Sequence, residues 1–373
     1  MKVIQIMDNL ETDGGVNSVV YDLCQAQRVL GADVSLIGIM DRGNSNNEQV
    51  QALRALGVSV HCLGAKSKPD ALLRYVFALR NLIYEISGGE TVICNLHLKL
   101  SVLMGTMAAV GLSNVVCIET YHNTYHHYWL QYNLCKFMIR EYICVSETAY
   151  KEMQLRFHTP KHKLCAIPNG VNRVEIRAQM GNIKEGKSET VNFVSVGRMS
   201  YEKNLIIPVQ AFAQMQKENV TYTVIGDGPQ RDELASIAKG HENIRFLGSL
   251  PRTQVIPAIA QADLVILPSL WEGRSISMLE AMAQDKPLIL SDVPGLRTVF
   301  DESPLSEKES FRVCRFGYLV RTSDVQAYIN CIHHFAEHRE LWPQMSAYVE
   351  EISKQSDISK VAADYLKEYK KFM

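Results

Sequence analysis

The sequence predicts an α/β protein of two doubly wound domains, each a parallel sheet covered by helices on both faces. Three observations predict it. The chain has 373 residues, too long for one ordinary core and suited to two. Short Val/Ile-rich runs alternate with helical periods. That alternation stops once, in the polar, non-periodic stretch NRVEIRAQMGNIKEGKSET, and then restarts. The expected division is an N-terminal Rossmann-like domain over 1–171, a linker over 172–190, a C-terminal Rossmann-like domain over 191–355 and a C-terminal helix over 356–373. Ligands of such sheets bind outside the carboxyl ends of the strands. Two such domains would face a cleft, and residues just after strands become the candidates.

In the first half, KVIQIM, DVSLIGI, VSVHCLG, TVICNL, VVCIET, EYICVS and KLCAIPN read as strands. Between most of them lie helical patterns: NSVVYDLCQAQRVLG, QVQALRALG, ALLRYVFALRNLIYEIS, LSVLMGTMAAVG and SETAYKEMQLRF. Gly31, Gly57, Gly88 and Gly111 mark helix stops. After the linker, VNFVSVG, YTVIGDG, IRFLGS, ADLVILP, PLILSD and FGYLV read as strands with helices between them. The tail DISKVAADYLKEYKKFM is amphipathic and reads as a helix.

Composition excludes several classes. The net charge of -1 offers no field to recruit nucleic acid. Nine cysteines occur without a C-x-x-C pair, and they read as buried hydrophobes of a reducing, cytoplasmic compartment. MKVIQIMDNL reads as a first strand rather than a signal peptide, and no apolar run is long enough to span a bilayer. Residues 66–83 are basic and apolar together. They read as a core-facing helix with a solvated cationic rim, with peripheral contact to the inner face of a membrane as the alternative.

The most informative motif is PSLWEGRSISMLEAMAQDKP, with Glu272 and Glu280. On one continuous helix the two carboxylates would stand about 80° apart. Instead, an apolar strand runs into a loop carrying Glu272, and a helix begins near Ser275 and carries Glu280 inward. Backbone N–H groups of Gly273, Arg274, Ser275 and Ile276 would face a ligand between them, because a helix start is an anion site. Acidic residues flanking a phosphate cradle suit a ligand both anionic and hydroxyl-rich, such as a nucleotide sugar. Gly197-Arg198 follows another strand, with Lys203 five residues on; the two cations suit a diphosphate, or are a solvated surface pair. Gly226-Asp227-Gly228-Pro229 could let backbone meet a nucleobase or phosphate, or simply form a rigid turn. Gly14-Gly15, after the first strand, permits positive φ and close approach to a diphosphate or sugar, or is an ordinary turn. It is not a G-x-G-x-x-G fingerprint. In ETYHNTYHHYW, His122, His126 and His127 lack a carboxylate or Cys motif for metal. His122 is the functional candidate, because it falls just past a strand end; the aromatics beside it suit sugar stacking and, with CKFMIR, contact with a lipid acceptor.

With VGRMSYEKN, VIGDGP and LEAMAQDKP in the same order, the chain resembles retaining GT-B glycosyltransferases of family 4. The resemblance implies a GT-B fold whose C-terminal helix returns to the N-terminal domain. It implies that Glu280 holds the ribose hydroxyls and Glu272 the donor sugar hydroxyls. Arg198 and Lys203 resemble the pair that neutralises the donor diphosphate, Gly15 the loop glycine near it, and His122 the residue near the transferred sugar. Three positions depart from the pattern. Arg274-Ser275 replaces an apolar pair, Asp285 replaces a glycine and is costly at positive φ, and the usual Glu near Leu296-Arg297-Thr298 is missing.

The function expected is retaining transfer from a UDP-, GDP- or ADP-sugar to a saccharide or lipid-linked hydroxyl acceptor, in cell-surface polysaccharide or glycolipid synthesis. Glu272, His122, Arg198 and Lys203 are the expected catalytic set, with neither metal nor cofactor, because the cations and the helix start stabilise the leaving diphosphate. Retention by a front-face route is implied by the resemblance. A nucleotide-sugar epimerase of GT-B fold and a non-catalytic nucleotide-sugar-binding protein are the alternatives.

Overall fold

The computed structural model describes every residue except 12–13, 42, 44, 123–128, 181–188 and 216–218. His126 and His127 therefore lie outside the described residues. The chain forms two compact units, Met1–Gly170 with Ile358–Met373, and Val171–Asp357.

The first unit holds strands β1 (Lys2–Asn9), β2 (Asp33–Met40), β3 (Ser59–Ala65), β4 (Val92–His97), β5 (Val115–Tyr121), β6 (Ile139–Cys144) and β7 (Leu164–Ala166). They make one parallel sheet in the order β3-β2-β1-β4-β5-β6-β7. Its helices are α1 (Gly15–Val29), α2 (Glu48–Ala55), the single turn α3 (Lys68–Asp70), α4 (Val76–Ser87), α5 (Leu98–Ala109), α6 (Trp129–Cys135) and α7 (Glu147–Leu155). A π-helical turn, Ala71–Tyr75, leads into α4. Strand residues alternate between two cores. Ile4, Ile6, Cys94 and Leu96 pack with Leu79, Ile83 and Met104 on one face, whereas Val3, Met7, Ile93 and Ile118 pack on the other with Val20, Cys24 and Tyr365.

The second unit begins with α8 (Arg173–Gln179). Its strands are β8 (Val191–Val196), β9 (Val220–Ile225), β10 (Ile244–Gly248), β11 (Leu264–Leu267), β12 (Leu288–Ser291), β13 (Phe311–Cys314) and β14 (Gly317–Val320). The order is β10-β9-β8-β11-β12-β14-β13, parallel except for the antiparallel edge strand β13. Its other helices are α9 (Ile206–Gln214), α10 (Arg231–Ile237), α11 (Arg252–Ala260), α12 (Ile276–Ala283), the single turn α13 (Pro294–Arg297), α14 (Val325–Glu337) and α15 (Trp342–Ser353). The chain then returns to the first unit as α16 (Ile358–Tyr369), which packs on α1 and buries Ile358, Val361, Ala362, Tyr365 and Tyr369.

The structure differs from the sequence expectations in several places. The supposed linker is helical over 173–179: the Asn172 side chain caps it by accepting the Glu175 N–H at 3.1 Å, and Ile176 is buried. Strand β13 and helix α6 lie in stretches with no strong period. Gly14 is extended and Gly15 opens α1, so neither uses a left-handed conformation. Asp285 does adopt a positive φ of 58°. The turn keeps the shape a glycine would favour, and Arg177 of α8 donates to both carboxylate oxygens, at 2.6 and 2.8 Å.

The helix over 76–87 turns Leu79 and Ile83 into the core, as a core-facing helix should. Its other face, with the preceding turn, exposes Leu73, Phe77 and Tyr84. All nine cysteines are free thiols. Among the described residues, no helix is long and apolar enough to cross a membrane.

Candidate functional site

In the second unit three loops at the carboxyl ends of β8, β9 and β11 are fastened to one another by backbone. The loop after β8 meets that after β9 through Met199 N–H to Asp227 C=O and Gln230 N–H to Met199 C=O, both 2.9 Å. Contact is so close that a Cβ on Gly226 would lie 1.9 Å from the Gly197 carbonyl oxygen. The turn reading of Gly226 and Gly228 is thus explained by chain packing: their bare backbone lets these two loops touch. Met199 and Ser200 are buried beneath them.

The same loop meets the one after β11. Leu270 N–H donates to Glu202 C=O at 2.8 Å, and the Asn204 side chain donates to Pro268 C=O at 3.1 Å. This lattice brings Lys203 and Glu272 together as an ion pair, with Ser269 Oγ donating to the same Glu272 oxygen at 2.8 Å. Glu272 is nearly enclosed, and Lys203 is half-buried. Tyr201 and Trp271, both exposed, bring their rings to 6.0 Å beside the pair. Arg198 is exposed; its carbonyl accepts the Ser200 N–H at 2.9 Å, and its charge helps hold the Glu202 carboxyl below its usual range. Gly197 lies over the aliphatic stem of Lys203.

Helix α12 starts where the sequence placed it. Ser275 is the N-cap; its Oγ accepts the Met278 N–H at 3.5 Å and lies 3.0 Å from Ser277 Oγ. Its first turn carries no acidic side chain to neutralise the dipole. Gly273 and Ile276 lie on either side of this start. The loop is propped from behind by the turn after β12, where a Cβ on Gly295 would fall 2.0 Å from the Glu272 carbonyl oxygen. Arg297, at the position where a Glu was sought, instead pairs with Asp292 at 2.9 Å.

Glu280 sits inside α12 and is buried, where a lone carboxylate would be costly. Arg252, at the start of α11, supplies the counter-charge: its Nε donates to Glu280 Oε1 at 2.9 Å, and both side chains are under a tenth exposed. Sequence reasoning missed Arg252. The signal available was the burial of Glu280, which demands a cation from another loop. Arg274 turns to Ser356, donating to its Oγ at 2.8 Å, and desolvation lowers its guanidinium to about 10.

Gly15 and His122 belong to the first unit and are described within it. Gly15 is exposed at the amino end of α1. His122 is buried just beyond β5, with its Nε2 2.8 Å from Nδ1 of His97. Burial pushes its imidazole down to about 3, so it is neutral. Among the described residues no three His, Cys, Asp or Glu side chains gather as a metal site.

A family model described as glycosyl transferases group 1 matches residues 190–338, and another, described as Glycosyltransferase Family 4, matches residues 13–175. The chain belongs to glycosyltransferase family 4. This family 4 chain is 28% identical over 182 residues to a UDP-Gal:alpha-D-GlcNAc-diphosphoundecaprenol alpha-1,3-galactosyltransferase of Escherichia coli, covering 46% of this chain and 44% of that protein. It is 27% identical over 233 residues to an alpha-monoglucosyldiacylglycerol synthase of Streptococcus pneumoniae, covering 54% of this chain and 51% of that protein. The matched stretches thus span about half the length of these curated relatives. Anabaena HepE, solved with UDP and glucose, superposes with a TM-score of 0.76 at 17% identity, covering 99% of each chain. At that identity the likeness speaks to the fold, the GT-B fold of two Rossmann-like domains.

Proposed function

We propose that this family 4 chain transfers a sugar from a nucleotide diphosphosugar to a hydroxyl acceptor, with retention at the anomeric carbon and without a metal. One observation carries the reading: the Lys203–Glu272 pair joins the loops after β8 and β11, with Arg198 exposed in the first of these loops and the start of α12, capped by Ser275 but with no acidic side chain in its first turn, following the second. Two cations and a helix start hold a diphosphate and stabilise it as it leaves. Glu272, already anchored by Lys203 and Ser269, accepts from sugar hydroxyls, and Glu280, held by Arg252, accepts from ribose hydroxyls. Gly197, Gly226 and Gly228 shape the loops; Gly273, Ser275 and Ile276 bring backbone to the phosphates. Arg274 supports the loop from Ser356. Gly15 and His122 serve the diphosphate and the transferred sugar from the first unit.

The relatives named above are a galactosyltransferase named for a GlcNAc-diphosphoundecaprenol and a synthase of alpha-monoglucosyldiacylglycerol, which favours a saccharide or lipid-linked acceptor and work at the inner face of a membrane. The exposed Leu73, Phe77 and Tyr84, flanked by exposed Lys66, Lys68 and Arg74, form an apolar face with a cationic border suited to anionic lipid.

The experiment is a thermal shift of the full chain against UDP-, GDP- and ADP-sugars, since bound donor stabilises by mass action. One nucleotide series should raise the melting temperature. Arg198→Ala with Lys203→Ala removes two charge-assisted contacts of about 1.5–3 kcal/mol each. The expected loss of donor affinity is therefore about 100-fold or more. Unchanged affinity in that double variant would refute the diphosphate clamp.

A further inference from the structure

A polar seam crosses the middle of the first sheet, on the face covered by α1 and α16. Gln5 of β1 stands opposite Asn95 of β4, and His97 of β4 opposite Thr120 of β5. All four side chains are buried. Gln5 Nε2 donates to Gln27 Oε1 at 2.8 Å, which leaves Gln5 Oε1 as an acceptor only. That oxygen takes Asn95 Nδ2 at 2.9 Å and His97 Nε2 at 2.7 Å. Asn95 Oδ1 accepts from Thr120 Oγ1 at 2.9 Å, and Thr120 Oγ1 lies 3.4 Å from the Tyr365 hydroxyl of α16. Asn95 Nδ2 also lies 3.2 Å from His97 Nε2, and Gln27 Nε2 has no hydrogen-bond partner among the described residues; the 2.7 Å contact between His97 Nε2 and the accepting Gln5 Oε1 is the shorter of the two made by that nitrogen.

The proton positions follow from this chain. Burial drives the His97 imidazole well below its usual range, so it is neutral, as is His122. A neutral imidazole carries one N–H. His97 spends its N–H on Gln5, through Nε2. Its Nδ1 is then an acceptor, and the 2.8 Å contact from His122 Nε2 has one possible direction: His122 donates. His122 is left with a bare lone pair on Nδ1, which is buried and has no hydrogen-bond partner among the described residues.

We propose that His97 is a positioning residue for sugar transfer: with Gln5 behind it, it locks His122 as the Nε2–H tautomer, so that His122 Nδ1 accepts a hydrogen bond from a substrate hydroxyl. The tautomer of one imidazole nitrogen is set by the bond made at the other, and here a second histidine makes that bond. The inference rests on the glycosyl-transfer reading and goes beyond it by assigning a role to a residue that touches no substrate. Gln5 and Asn95 extend the seam to α1 and α16, so the orientation of His122 is held by the whole depth of the first unit.

The test is nitrogen-15 NMR of histidine-labelled full-length protein, with transfer kinetics alongside. In the unmodified protein His122 should show a protonated Nε2 and a pyridine-like Nδ1, unchanged between about pH 6 and 8. His97→Leu removes the acceptor: His122 should populate both tautomers, and kcat should fall about tenfold or more with the donor KM within about threefold. His97→Asn places a carbonyl oxygen near the Nδ1 position and should restore both the Nε2–H signal and most of kcat. A proton on His122 Nδ1 in the unmodified protein overturns the proposal, and so does equal impairment by leucine and asparagine. Absence of any sugar transfer together with an intact Nε2–H signal instead refutes the glycosyltransferase reading and leaves the tautomer assignment in place.

Discussion

Replacing Arg252 by leucine strips the counter-charge from Glu280. Were the pair on the surface, the loss would be under about 1 kcal/mol. The geometry puts it in another class. The side chains are 9% and 8% exposed, the contact is 2.9 Å, and Glu280 lies on a helix whose neighbours Met278, Leu279, Ala281 and Met282 are all buried. Breaking a buried pair by removing one partner costs about 3–5 kcal/mol, because the other charge stays behind. Leucine refills part of the space, so about 3 kcal/mol is the expected loss. The second unit runs from Val171 to Asp357. For a domain of that size each kcal/mol moves the melting temperature by about 2–4 °C, giving a drop of about 6–12 °C. Calorimetry of the full chain, with urea unfolding as a second measure, reads it. Adding Glu280→Gln to Arg252→Leu should recover part of the loss while removing donor affinity. A cost below about 1 kcal/mol for Arg252→Leu, or a double variant as unstable as the sum of the two single changes, refutes the assignment of a buried, mutually dependent pair.

Glu141 should make stability fall as pH rises. Burial, then the neighbouring Glu368, pushes its carboxyl up to about 7, and its Oε2 has no hydrogen-bond partner among the described residues. The native state therefore holds a proton that the unfolded chain has released between about pH 4.5 and 7, so Glu141→Gln should stabilise by about 1–3 kcal/mol at pH 8 and be near neutral at pH 4, by urea unfolding. Gly295→Ala adds a methyl 2.0 Å from the Glu272 carbonyl oxygen and should cut sugar transfer at least about tenfold without touching a charged group; full activity would show that the Glu272 loop can shift freely. Leu73→Ser with Phe77→Ser should abolish flotation with anionic liposomes; unchanged flotation would remove that face from the membrane proposal.

The sheets were legible because most of their strands are continuous apolar runs, and a parallel sheet covered on both faces requires that. β13 escaped because it is an edge strand, half-exposed, with Arg312 in its middle. Helix α8 escaped because only Ile176 is buried, too few apolar positions to show a period, although the cap at Asn172 was in plain view. At the site, Lys203, Glu272, Glu280 and the start of α12 were legible from local spacing. Arg252, the partnership of Asp285 with Arg177, and the seam behind His122 were not. Each of those joins residues from separate elements, and a charge or amide shows its need for a partner without showing which residue answers it. His97 and Asn95 are polar residues inside an otherwise apolar strand, and that they lean on Gln5 depends on strand register, which no local pattern displays.

The placement of α16 bears on how the protein is made. A ribosome releases residues 1–170 long before 358–369, yet Tyr365 and Tyr369 are part of the first unit's core. The second unit is thus an insertion within the first, and it can fold while the first still lacks a helix. Until α16 emerges, the face bearing Gln5, Asn95 and Thr120 is covered by α1 alone. Synthesis therefore favours a nascent species whose second unit is complete and whose first is open, and in that interval chaperone capture or proteolysis would act on the N-terminal half.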